Sequence, residues 1–239
     1  MKINLSYSVK LLSEEKAQDA LQYLSKHLIV DETKRKLVSI KFCELHVLNQ
    51  LTYVISEICD CLIINANQAA ITLTNHLFEN MLKQALITID SNGRYFDENE
   101  PMDKTFEAEV KEYDEKNLCD AIKQCKSKRL ITQDEVLRLN YLKNIFRNPF
   151  SHACYSKKLF KEAKMHILKG SLTDPQNINE EFVNISNIPF LQLEAQKDFA
   201  EKNAFGYFVE IYSYVDKLDR KLLDLYPETK KFLQDNSLI

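Results

Sequence analysis

Arg147, Asn148, Ser151 and His152 fall within one run of six residues, Arg147-Asn148-Pro149-Phe150-Ser151-His152, and little else in the 239-residue chain is chemically as pointed. Arginine is a permanent planar cation whose donors match phosphate oxygens. Histidine is the side chain that exchanges protons near neutral pH. Asn148 offers an amide to orient a phosphate or a 2′-hydroxyl, and Ser151 a hydroxyl beside it. The set suits metal-independent RNA cleavage. A 2′-hydroxyl attacks the adjacent phosphorus, His152 moves a proton, and Arg147 stabilises charge on the phosphoryl oxygens. One histidine per chain is either a base or an acid, and a two-fold dimer apposing two motifs would supply both.

Pro149 is expected to organise these groups. A proline pushes the residue before it towards extended backbone, and Asn followed by Pro is a good N-cap and N1 pair. The reading is a helix ending before Asn148 and a new one starting there, with Arg147 outside, His152 one turn inside, and unpaired N–H groups aimed at an anion. Between residues 141 and 170 seven basic residues stand against one acidic, Glu162, on a chain of net charge −3. Lys143, Lys157, Lys158 and Lys161 are therefore candidates, with Ser151, for binding the RNA backbone; the bland alternative is a solvated helix face.

The elements that must carry the motif read as helices. Glycine and proline are few, three and five, and helix formers dominate. Ser13 opens a capped helix with Leu21, Leu24 and Leu28, and Asp31 to Lys36 reads as a turn. A long helical pattern from about 33 to 89 is broken once or twice and ends at Ser91-Asn92-Gly93. Residues 91–103 form a polar loop, and 106–125 one further helix. Thr132 with Glu135 three places on is a capping-box signature. After the motif a helix runs to about Lys169, so that His166 lies on it some 21 Å from His152 at 1.5 Å per residue. A loop follows over 171–189, then a last helix from about 191 to 225. Alternation over residues 3–9 could make one short strand. The architecture is an all-α bundle.

No apolar run approaches the roughly 20 residues that span a bilayer, and residues 1–10 lack a secretory core, so a cytoplasmic protein with no membrane partner is expected. The six cysteines have no framework spacing and read as reduced packing thiols. Cys43 with His46, and the Cys59–Cys61 pair, are poor metal sets: residues two apart on a helix diverge by about 200°. No metal and no cofactor are expected. Walker, G-x-S-x-G, H-E-x-x-H and G-x-G-x-x-G motifs are missing.

The Arg147 to His152 run resembles the R-x4-6-H motif of the HEPN superfamily, in which a polar residue often follows the arginine. HEPN proteins are helical bundles, commonly dimeric, and many are metal-independent RNases of toxin–antitoxin and abortive-infection systems. The resemblance implies catalytic roles for Arg147 and His152, with Asn148 in support, in a homodimer that acts on RNA. It also implies an antitoxin or defence-system protein as a partner. It covers residues 55–239 as the HEPN-like bundle, with 1–54 as an N-terminal helical extension. Two alternatives stand beside it. One is a non-catalytic HEPN-like module that binds nucleotide, RNA or a protein partner. The other is an interaction protein docking through Phe205, Phe208 and Tyr212 of its last helix.

Overall fold

The structure is a computed structural model. It describes residues 31–93, 104, 106–152, 164–171 and 174–227, with the backbone alone at 151, 152, 171 and 174–178. The expected strand over 3–9, the helix opened by Ser13, and Lys157, Lys158 and Lys161 lie outside the described residues.

Helices dominate, as expected. Asp31, taken from sequence as part of a turn, is instead the N-cap of α1 (Glu32–Lys41), its carboxylate accepting the Lys34 N–H at 2.8 Å. A short 3₁₀ turn (Asn49–Leu51) leads into α2 (Thr52–Ile63), and α3 (Asn67–Asp90) is the long central helix. It ends where the sequence places its end. Asn92 and Gly93 take positive φ, +53° and +68°, and the Gly93 N–H closes on the Thr88 carbonyl at 2.9 Å. Any Cβ at Gly93 would meet the Tyr226 ring at 2.6 Å, so the close approach as well as the φ requires glycine.

The expected single helix over 106–125 is two, α4 (Glu107–Asp114) and α5 (Leu118–Ser127). Asn117 separates them by turning extended and capping α5 through the Asp120 N–H. The Thr132–Glu135 capping box forms and opens α6 (Gln133–Leu142). A further correction concerns residues 164–184, expected as the end of a helix and a loop. Residues 164–171 and 174–184 of that stretch instead form two paired antiparallel strands, β1 (Lys164–Ser171) and β2 (Asp174–Asn184). The period there is two: Met165, Ile167 and Val183 pack against Ile185 and Leu191, while His166, Leu168 and Phe182 line the other face. The last helix, α8, is Pro189–Leu225.

The core joins α2, α3, α6 and α8 through residues such as Ile58, Phe78, Leu82, Leu139, Phe208 and Val215. Leu37, Leu48 and Leu51 belong to the same cluster. Phe208, considered from sequence as a docking residue, is fully buried in the chain's own interior. Asp219, 2% exposed, fastens the chain between α1 and α2. Its carboxylate accepts the N–H groups of His46, Val47 and Leu48 at 2.9, 2.7 and 2.7 Å. Among the described residues no helix is long and apolar enough to cross a membrane.

Candidate functional site

Pro149 does not break the helix. Residues Lys143–Arg147 form a turn of π-helix that continues α6 directly into α7 (Asn148–His152). Asn148 is helical, with φ −66° and ψ −44°, and its N–H bonds the Lys143 carbonyl five residues back. The expected N-cap at Asn148 is thereby corrected. The physical reason is the wide turn. Proline lacks an N–H and its ring collides with the carbonyl four residues earlier in a regular α-helix, whereas a π turn displaces that carbonyl. Pro149 is buried in this position.

The correction changes the chemistry open to the motif. With the helix running through residue 148, no set of unpaired N–H groups is aimed at an anion there. Positions 147 and 152 on a continuous helix stand about 140° apart around the axis and about 7.5 Å apart along it. One motif therefore spans two sides of the helix rather than one phosphate-sized space.

Arg147 ends the π turn, and its side chain is 24% exposed. Its Nη2 lies 3.4 Å from Oε2 of Glu79 on α3, and Glu79 Oε1 lies 3.1 Å from Lys83, one turn on. Lys83 also donates to the Asp114 carbonyl at 3.1 Å. Glu79 is thus the acidic partner of the motif arginine. Beside it, Tyr207 donates to buried Asn75 at 2.8 Å and stacks on Phe146 with centroids 3.9 Å apart. Burial, together with the charge of Glu210, pushes the Tyr207 phenol's pKa up, and Arg147 opposes that shift. Asn75 occupies a position in the apolar stripe of α3. A polar residue on a buried stripe was the available sign that it has a partner.

The remaining candidates are dispersed. Asn148 donates its amide to Asn144 Oδ1 at 3.1 Å. Lys143 is half-buried and directs Nζ to Cys119 Sγ at 2.7 Å and Asn140 Oδ1 at 3.1 Å. Ser151 and His152 are placed by their backbone in α7. His166 sits on β1, with Glu180 at 3.2 Å and the Phe182 ring at 4.9 Å, rather than on a helix with His152.

Burial pushes the thiols of Cys59 and Cys125 up to about 12, which keeps them protonated and unreactive. Among the described residues no group of three His, Cys, Asp or Glu side chains is placed to hold a metal ion.

A groove missed from sequence lies next to the motif. Helices α6 and α8 are bridged by the Glu135–Lys217 pair, by a two-pronged Arg138–Glu210 pair (Nη2 to Oε2 2.7 Å) and by the Phe146–Tyr207 stack. Between the last two a cavity of about 510 Å³ opens, lined by Arg138, Tyr141, Ile145, Phe199, Lys202 and Gly206 among others. No family model, no curated protein and no solved structure matches the chain.

Proposed function

We propose that the chain is a metal-independent endoribonuclease of HEPN type, of the toxin or anti-phage defence kind, acting as a homodimer. Arg147 holds phosphoryl oxygens, His152 transfers the proton, and Asn148 supports the phosphate or the 2′-hydroxyl. The observation that carries the reading is the placement of Arg147. The guanidinium is positioned by Glu79 at a distance of 3.4 Å, long for a tight ion pair, and stays part-open to solvent. It sits where a π turn interrupts a regular helix, a feature that recurs at functional sites. Because positions 147 and 152 diverge around the helix, the composite site draws on both protomers, Arg147 of one copy working with His152 of the other.

The same Arg147–Glu79 pair favours a second reading, a non-catalytic module that binds RNA, nucleotide or a protein and in which Arg147 pins α6 to α3. The discriminating experiment incubates purified protein with total RNA in EDTA, comparing wild type with Arg147→Lys and His152→Ala. The nuclease reading expects metal-free cleavage that either substitution reduces by at least about a hundredfold, the scale of a lost acid–base group. Cleavage unchanged in His152→Ala, or none under any condition, overturns it.

A further inference from the structure

The groove between α6 and α8 has a shape and chemistry that the chain's own packing does not explain. Its floor is the flat Phe146–Tyr207 pair, with ring planes 3° apart. One wall carries Tyr141, 53% exposed, with the Arg138 guanidinium 5.1 Å from its ring centroid. The other wall carries Phe199, which is part-exposed and tilted against Phe146 at 5.5 Å. Lys202 stands exposed at the rim and makes no ion pair among the described residues.

Gly206 lines the groove. It lies inside a 37-residue helix, where glycine is less stable than alanine by about 1 kcal/mol. A Cβ there would touch nothing within 4 Å. No backbone approach and no positive φ call for glycine at this position. What its small size does is leave the groove open.

We propose that this groove seats one unstacked base of single-stranded RNA beside the Arg147 site. The ligand class rests on the ribonuclease reading above, but the fit stands on the groove itself. A cavity of this size lies in the range that holds small planar ligands. Aromatic rings interleaved with cations are the usual platform for single strands, since bases stack on rings and on guanidinium planes while lysines meet phosphates. Tyr141 and Phe199 take the base, the Arg138–Glu210 pair and Asn203 face its polar edge, and Lys202 meets a flanking phosphate. Arg147 directly follows Phe146, which lines the groove, and consecutive Cα atoms are about 3.8 Å apart, so a strand with a base in the groove passes its neighbouring phosphate near Arg147.

The test uses the full chain carrying His152→Ala, which leaves the RNA intact, and a fluorescein-labelled single-stranded 12-mer RNA read by anisotropy in EDTA. Gly206→Leu fills the groove with a good helix former. It should keep the melting temperature at or above that of the parent while weakening RNA binding about tenfold, the scale of one lost stacked base. Tyr141→Ala should weaken it similarly. Lys202→Gln should reduce the slope of log K against log salt by about 0.7, one phosphate on a single strand. A 4-thiouridine in the 12-mer should crosslink to Tyr141 or Phe199.

If Gly206→Leu is folded and binds RNA like its parent, the proposal is overturned, whether or not the wild type cleaves RNA. Loss of dimer in Gly206→Leu by sedimentation, without loss of RNA affinity per protomer, overturns it in favour of a second copy in the groove. Absence of any RNA binding overturns it as well. Groove-dependent binding in a protein that never cleaves supports the groove and removes the nuclease.

Discussion

Replacing Glu79 separates the two roles open to Arg147. The guanidinium and carboxylate are 3.4 Å apart. At an effective dielectric of 20 their attraction is about 5 kcal/mol before solvation. The side chains are 24% and 26% exposed, so water and salt screen the pair and side-chain ordering opposes it. The net coupling should fall to about 1 kcal/mol. A double-mutant cycle of Arg147→Ala and Glu79→Gln, followed by urea unfolding, measures that term directly. Because Glu79 also meets Lys83 at 3.1 Å, the cycle is repeated on Lys83→Met to remove the second partner.

The same substitution has an opposite signature in RNA binding. A carboxylate about 6 Å from a bound phosphate repels it by about 0.7 kcal/mol in water. Glu79→Gln should therefore bind single-stranded RNA about threefold more tightly than its parent in the His152→Ala background. It should also steepen the salt slope by up to about 0.7. A stability coupling above about 3 kcal/mol, with RNA affinity and salt slope unchanged, would make Arg147 a structural pin and refute the catalytic assignment.

Asp219→Ala should destabilise the fold by about 3–5 kcal/mol, because it strands one buried and two part-buried N–H groups that now share one buried carboxylate; thermal or urea unfolding checks this, and a loss under 1 kcal/mol would contradict it. Gly206→Ala should stabilise by about 0.5–1 kcal/mol, since it adds helix propensity and meets no neighbour. The Glu135 carboxyl is pulled up by burial, yet hydrogen bonds from Lys217 and Thr132 hold it below its ordinary value. A carboxyl depressed in the folded state stabilises above its unfolded pKa of about 4.3 and loses that contribution as pH falls through the lower folded value. The stability gap between wild type and Glu135→Gln should therefore be constant near neutrality and close below about pH 4. A gap that persists at pH 3 would show that the carboxylate charge is not what stabilises the box.

What could be read from the residues follows from how local each signal is. The Thr132–Glu135 box, the Asn92-Gly93 stop and the long amphipathic stripes of α3 and α8 are decided within a few residues, and they form as read. Ile167 fits a period of 3.6 with residues before it and a period of two with Met165, whose cross-strand partner is Val183. Only the apolar contact with Ile185 and Leu191 selects the second. The Glu79 partner, the Asp219 clasp and the groove depend on residues 68, 171 to 173 and 72 positions apart, and no window along the chain can show such pairs.

At Pro149 a neighbouring element overrides the local preference of proline. Proline disfavours a regular helix through one missing donor and one collision, and both are local to a single turn. Phe146 stacked on Tyr207, and Phe150 5.9 Å from Phe199, hold the segments on either side of Pro149 against α8. Ending the helix at residue 148 would move one of those anchors, while widening a single turn keeps both. The π turn is the smaller change, and it has a functional consequence. A helix break would have let one chain gather Arg147, His152 and a row of free N–H groups around one phosphate. A continuous helix sets positions 147 and 152 about 140° apart around its axis and withdraws the N–H groups. On the nuclease reading proposed above, the site needs two copies, and cleavage is expected to follow the concentration dependence of dimerisation. Activity that stays proportional to protein far below the dimer dissociation constant would be incompatible with that geometry.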